Sequence, residues 1–133
     1  MSHVPSVLAA QALMTFPRPQ NRNALESLFL DLLMVLFDIG SVDEKLLGHV
    51  KLYGEGKFKS IVRANVTGAR ENSRIEVRCP KAESYVKVWL NVIAYKLDGE
   101  LLRKNFLTAF NNFAKQRHVR LHGLRIAHRH DHF

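Results

Sequence analysis

The sequence predicts an α+β fold: a two-layer sandwich in which two helices cover one face of a mostly antiparallel sheet of about five strands. Two observations predict it. Apolar residues recur at helical spacing near residues 23–38 and 99–116. Between them, over residues 46–97, the hydrophobic period changes from 3.6 to 2. The expected order is therefore helix, four strands, helix, strand.

The first helix opens at Asn23, with Glu26 three residues later as a capping box, and Gly40 ends it. One face is strongly apolar and carries Leu25, Leu28, Phe29, Leu32, Leu33, Leu36 and Phe37. Its other face holds Leu30, Met34 and Val35. Because the helix is apolar nearly all round, we expect a sheet on one side and the N-terminal arm or a second subunit on the other.

Alternating residues predict the strands. Val50 and Leu52 precede a turn at Gly54-Glu55-Gly56, and the alternation resumes over residues 58–66, which predicts a hairpin. Residues 74–79 form a third strand, and residues 85–97 form a long fourth strand that can break near Asn91.

The second helix begins after Asp98, a side chain suited to an N-cap. Its apolar stripe consists of Leu102, Phe106, Ala109, Phe110 and Phe113. A last strand then runs from Val119, through a bulge at Gly123, into a histidine-rich tail.

Residues 1–21 are expected to be an N-terminal arm, mobile relative to a single domain over residues 22–133. This arm lacks the basic start of a secretory signal, and the apolar run of residues 28–37 is too short to span a bilayer. The single cysteine, Cys79, cannot form an internal disulfide and suits a buried apolar position. These features favour a soluble, cytoplasmic protein.

The composition is basic. Lysine and arginine exceed aspartate and glutamate by 20 to 12, the formal net charge is +8 and the isoelectric point is near 10. Such a protein favours polyanions and acidic partner surfaces. The chain has no P-loop, no dinucleotide fingerprint, no His-Glu-x-x-His and no Cys-x-x-Cys, and its acidic residues form no evident acid/base pair. We therefore expect a protein that is not an enzyme.

The tail carries His128, His130 and His132 at alternate positions. In an extended segment these imidazoles fall on one face, where they can converge on one ion. His118 and His122 would also share a face and could add ligands, as could a second chain. The spacing predicts a site for a divalent transition metal, and imidazole suits zinc, nickel and cobalt alike.

The outward positions of the strands combine basic and aromatic side chains, which can neutralise phosphates and stack on bases. The candidate nucleic-acid-binding residues are Lys51, Lys59, Arg63, Arg78, Lys87 and Trp89. An alternative reading is that Trp89, Ile93 and Tyr95 are covered by a partner protein or by a second copy in a homodimer.

Several segments resemble the small C-terminal domain of CobW-type metal-chaperone GTPases over about residues 42–129. They are Gly48-His49-Val50-Lys51-Leu52, the hairpin with Phe58-Lys59-Ser60-Ile61-Val62-Arg63-Ala64-Asn65, Leu90-Asn91-Val92 before the second helix, and Ile126-Ala127-His128-Arg129. The GTPase domain, its phosphate loop and its cysteine metal motif are missing, so nothing about GTP hydrolysis carries over. The resemblance implies a stand-alone relative of an accessory domain, whose open sheet meets a partner such as a GTPase and whose histidines assist metal handling.

Three hypotheses follow. The first is a non-enzymatic accessory module in metal-ion trafficking, with protein contacts through the sheet face. The second is a basic RNA-binding domain, and the third is a structural, oligomerising subunit with no small ligand.

Overall fold

Six strands form one antiparallel sheet in the order β4-β3-β2-β5-β1-β6. A computed structural model describes residues 4–129, apart from the side chains of Leu47, His128 and Arg129. The strands are β1 (Ser6–Gln20), β2 (Leu46–Gly56), β3 (Ile61–Gly68), β4 (Arg74–Arg78), β5 (Glu83–Ala94) and β6 (Arg120–Arg129). Two helices, α1 (Arg22–Gly40) and α2 (Gly99–Gln116), complete the fold. The predicted α+β class is confirmed, with six strands in place of five.

The additional strand is β1, and here the prediction of an N-terminal arm is wrong. Residues 6–20 lie between β5 and β6 and pair with both. The physical reason is a period of two: Leu8, Ala10, Ala12 and Met14 alternate into the core. Pro17 and Pro19 are tolerated because they fall in the irregular stretch between Thr15 and Gln20, where regular pairing with β5 is interrupted.

Both helices have side-chain N-caps. The Asn21 side chain accepts the Ala24 N–H at 2.9 Å, so α1 begins two residues before the predicted position, and the expected Asn23 capping box is wrong. Glu26 instead pairs with Arg22 at 2.9 Å, one helical turn earlier. The predicted cap of α2 is confirmed, because the Asp98 carboxylate accepts the Leu101 N–H at 3.2 Å.

The helices lie on the same face of the sheet and share one core with it. α1 packs on β2 to β5 and on α2, and α2 packs on β1 and β6. The largest fully buried side chains include Phe29 and Phe37 of α1 and Phe106 and Phe110 of α2. Each such phenylalanine stabilises the fold by roughly 1.5–3 kcal/mol through burial alone. Within residues 4–129, neither helix is long and apolar enough to cross a membrane.

The second apolar side of α1 is partly covered from within the chain. Met34 and Val35 pack against the core, whereas Leu30 remains 39% exposed. The Arg70 guanidinium lies 4.9 Å from the Phe37 ring centroid and pairs with Asp38. The apolar surface of α1 that stays exposed to a partner is therefore smaller than the sequence pattern predicts.

The β2–β3 turn and strand β5 differ from the sequence prediction, whereas the bulge in β6 agrees with it. Gly54 to Gly56 belong to β2, and the turn to β3 follows at residues 57–60. Gly54 stands inside a strand because a Cβ there would come within 2.9 Å of a Val86 methyl carbon. β5 runs unbroken past Asn91 to Ala94. The predicted irregularity in β6 is confirmed at Gly123, whose φ is +61°.

Candidate nucleic-acid interface

The sheet face opposite the helices is not covered by any described element, and we call it the open face. Its residues follow from the strand registers, because directly paired residues share a face and successive residues alternate. Leu52 and Leu90 point into the helix-covered core at 3% and 2% exposure. Their neighbours Tyr53 and Trp89, which pair with each other, therefore belong to the open face.

One row of side chains crosses this face at right angles to the strands, and we call it the Trp89 row. Cross-strand pairing aligns one residue from each of five strands, β3, β2, β5, β1 and β6. In that order they are Arg63, Tyr53, Trp89, Gln11 and Arg125. At about 4.8 Å between strands the row spans about 19 Å. Within these five strands it has a guanidinium at each end and aromatic rings inside, and beyond Arg63 the pairing continues to Glu76 on β4.

The aromatic pair is held among cations. The ring centroids of Tyr53 and Trp89 lie 5.7 Å apart at an angle of 43°. Lys87 Nζ is 4.9 Å from the Trp89 ring centroid, and the guanidinium carbon of Arg63 is 5.8 Å from that of Tyr53. Both rings are half-buried, so their orientations are constrained while part of each surface stays accessible. Such cation–π contacts keep basic groups beside rings that can stack on a ligand.

The open face is strongly basic. Its described basic side chains, assigned by register, are Lys51, Arg63, Arg74, Arg78, Lys87, Arg120 and Arg125. Among the residues that the structure describes, its acidic side chains are Glu55 and Glu76, and Glu76 lies 3.5 Å from Arg63. Two such faces repel each other, so the charge opposes a homodimer formed face to face and favours an anionic ligand. The predicted homodimer stays a prediction.

His49 pairs with Ile93 in the next-but-one row of this face. Burial lowers the pKa of His49 below its ordinary value of 6.5, and the neighbouring Lys51 charge lowers it further. The lowered pKa favours the neutral form of this imidazole, and the basic character of the face comes from lysine and arginine.

Two depressions lie on either side of the Trp89 side chain. The first, which we call the Gln11 pocket, has a volume of about 330 Å³ and is lined by side chains of Ala9, Gln11, Trp89, Asn91, Arg125 and Ala127. The second, the Lys51 pocket, has a volume of about 370 Å³ and is lined by Lys51, Tyr53, Arg63, Asn65, Trp89 and Asn91. Trp89 and Asn91 line both pockets, so a ligand in one is adjacent to a ligand in the other.

Most of the residues predicted to bind nucleic acid lie together here. Lys51, Arg63, Lys87 and Trp89 occupy neighbouring positions on the open face. Arg78 is on edge strand β4, opposite Ile61. Lys59 is instead in the turn before β3, with a φ of +66°.

The lining residues that the sequence analysis does not include among its candidates comprise Gln11, Asn91 and Arg125. Gln11 is absent because β1 is not predicted: the alternation of residues 7–14 gives only a weak contrast between the two faces of the strand. Arg125 was missed because the Gly123 bulge shifts the register of β6, so that residue 125 pairs with Gln11 on this face. The strand break predicted near Asn91 is absent, and Asn91 is a regular, exposed position of β5.

The predicted metal ligands are spread along β6 and beyond it. His118 is exposed in the left-handed region (φ +57°) before β6, and His122 Nε2 lies 3.0 Å from Thr15 Oγ1. His128 pairs with Leu8 near the end of β6, and His130 and His132 lie outside the described residues. Six strand residues, about 20 Å, separate His122 from His128.

His122 and His128 of one chain are therefore too far apart along β6 to ligate the same ion. The participation of His118 or His122 beside His130 and His132 stays a prediction. Within residues 4–129, described side chains form no group of three or more metal-ligating residues. The site formed by His128, His130 and His132 stays a prediction.

We compared the chain with protein-family models, curated proteins and solved structures. No family model, no curated protein and no solved structure matches it.

Proposed function

We propose that the protein is a non-enzymatic binding module whose open face binds single-stranded RNA. The observation that carries the proposal is the Trp89 row, in which an aromatic pair stands between two guanidinium groups on an uncovered sheet. Single-stranded nucleic acids bind through this combination, since basic groups neutralise phosphates and aromatic rings stack on unpaired bases.

The charge distribution supports the same proposal. Basic residues lie in the Trp89 row and in the rows on either side of it, so a strand crossing the sheet meets cations along its path. Because these contacts are with phosphates, the affinity depends on salt. With an approximate slope of −0.7 per phosphate for single strands, four contacts give roughly a sevenfold loss of affinity for each doubling of salt concentration.

The direct test is fluorescence anisotropy of a labelled single-stranded RNA 12-mer at low salt, with the full chain. We expect the double variant Lys51→Ala/Arg63→Ala to lose at least tenfold in affinity. The matched control is Arg103→Ala/Lys104→Ala, which removes two exposed charges from α2 on the opposite layer. Equal losses in both double variants would mean that net charge, and not the open face, determines binding.

A metal-trafficking accessory module is a second proposal. It is supported by β6, which carries the chain in an extended form as far as Arg129, immediately before His130. In this role the open face meets an acidic protein partner such as a GTPase. Absence of RNA binding, together with capture of that partner and metal uptake by the tail histidines, would favour this second function over the first.

A further inference from the structure

The Gln11 pocket differs from the rest of the open face in shape and chemistry. Ala9 of β1 and Ala127 of β6 pair with each other, and Ala9 also pairs with Asn91 of β5. Two methyl side chains therefore stand side by side where neighbouring positions carry Gln11, Trp89 and Arg125. The surface is therefore lower over the two alanines than over the larger side chains beside them.

The flanking groups are planar. Trp89 and Arg125 lie on either side of Gln11 in the Trp89 row, since Gln11 pairs with both. At about 4.8 Å per strand spacing, their backbones are about 10 Å apart. The Gln11 side chain stands between them in this row, so the space for a flat ring system lies over the two alanines in the adjoining row, beside the indole and the guanidinium. Both of these groups stack on nucleobases.

The polar groups of the pocket are amides. Gln11 and Asn91 each offer a carbonyl acceptor and an NH₂ donor, a combination that matches the mixed donor and acceptor edge of a base. No carboxylate is among the described residues that line the pocket. The pocket therefore suits an uncharged or anionic planar ligand and disfavours a cation.

Resting on the proposed function, we infer that the Gln11 pocket receives one unpaired nucleobase of the bound strand. The base stacks on Trp89 over Ala9 and Ala127, and the amides of Gln11 and Asn91 contact its edge. The adjacent nucleotide lies over the Lys51 pocket, where Lys51 and Arg63 contact phosphate oxygens. The open face would then recognise bases as well as the charge of the backbone.

The intrinsic fluorescence of Trp89, the single tryptophan of the chain, tests the inference. The probes are an RNA 12-mer, the matching DNA 12-mer and an abasic oligomer of equal length and charge. We expect both base-containing strands to quench Trp89 and to bind about tenfold more tightly than the abasic strand, as one stacked base provides. The RNA and DNA arms distinguish whether the sugar matters.

Two variants make the test specific. Ala127→Leu fills the pocket and should abolish the quenching and the tenfold preference, while the affinity for the abasic oligomer changes less than twofold. Gln11→Leu, which keeps an uncharged side chain of similar size, should reduce the preference in the same way. Ala82→Leu, at a half-buried alanine before β5 and outside both pockets, is the matched control and should behave like the wild type.

The outcomes separate this inference from the proposed function. Equal affinity for base-containing and abasic strands, without quenching, would overturn the inference and leave backbone binding intact. Displacement of the RNA by polyglutamate of equal charge, at equal affinity, would show that the face recognises charge alone and would also overturn it. Binding to none of these probes would overturn both this inference and the proposed RNA-binding function.

Discussion

Gln11 of β1 stands directly opposite Trp89 of β5 in the antiparallel pair formed by these strands. The Cβ atoms of two such residues are about 4.5–5.5 Å apart on the same face of the sheet. The side chain of residue 11 is therefore the neighbour of the Trp89 indole on the side of β6. The amide at this position adds hydrogen-bonding capacity to the site without changing its charge.

A carboxylate at position 11 should weaken RNA binding. Gln11→Glu places a negative charge between Trp89 and Arg125, where it repels phosphates and competes for the guanidinium. We expect about a fivefold loss of affinity at low salt, equivalent to about 1 kcal/mol for a half-exposed charge, measured by anisotropy. The control Gln116→Glu makes the same change at an exposed position on α2. An equal loss in both variants would refute a local role for position 11.

His49 should make the stability of the fold depend on pH. Its folded-state pKa lies below the unfolded value of 6.5, so the unfolded state binds the proton more readily. The free energy of unfolding should be constant with respect to His49 above pH 6.5 and should fall as the pH drops through the lowered folded-state pKa. Urea denaturation at pH 7.5 and pH 5.5 measures the difference.

The variant His49→Gln removes this titration and should lose less stability than the wild type between the same two pH values. His118→Gln changes an exposed histidine outside the sheet face and should keep the wild-type difference. Identical pH dependence in His49→Gln and the wild type would contradict the assignment to His49.

The tail should bind a divalent transition metal. We expect isothermal titration with zinc, nickel or cobalt to show uptake by the wild type and none by the triple variant His128→Gln/His130→Gln/His132→Gln. Uptake should weaken below about pH 6, because protonated imidazoles cannot ligate. Substitution is preferable to truncation after Ala127, which would delete the β6 residues that pair with Leu8 and Val7.

The double variant His118→Gln/His122→Gln is the control for the tail. It should retain uptake, since within one chain His122 lies about 20 Å of strand away from His128. Loss of uptake in this variant would mean that His118 or His122 takes part in the site. Uptake by the triple variant would remove the tail from the site.

Glu83 should hold the turn between β2 and β3. Its fully buried carboxylate accepts the Phe58 N–H at 2.9 Å through Oε2. Glu83→Ala leaves this donor without its partner and should lower the free energy of unfolding by about 1–3 kcal/mol. Glu83→Gln retains an oxygen acceptor and should cost less, and the exposed control Glu55→Ala should change stability by less than about 0.5 kcal/mol. A Glu83→Ala variant as stable as the wild type would rule out this role.

The sequence was sufficient for the elements whose periodicity is strong. α2 was predicted almost to the residue because the Leu102 to Phe113 stripe and the Asp98 cap agree, and β2 to β5 followed from their alternation. β1 was missed for a physical reason: alanines occupy three of its positions, and its outward side also carries Val7 and Leu13. The contrast between its two faces is therefore weak, and two prolines at its end suggested a loop.

Because β1 was not predicted, only part of the candidate nucleic-acid interface could be predicted from the sequence. Lys51, Arg63, Lys87 and Trp89 could be assigned to one face because they alternate within predicted strands. Gln11 and Arg125 could not, since their place depends on which strands are neighbours and on a bulge that shifts the register by one residue. Such long-range pairing has no local signature in the sequence.

The position of β1 also determines the order in which the sheet can be completed. Although β1 comes first in the sequence, its two neighbours are β5, which begins at Glu83, and β6, which begins at Arg120. Its hydrogen bonds therefore close very long loops, whereas β2 to β4 can assemble through short hairpins. Contacts of high sequence separation slow folding because their loop entropy is lost before they contribute stabilisation. We expect β2, β3 and β4 to pair early and β1 to join late, and the Gln11 pocket to be absent until that last step.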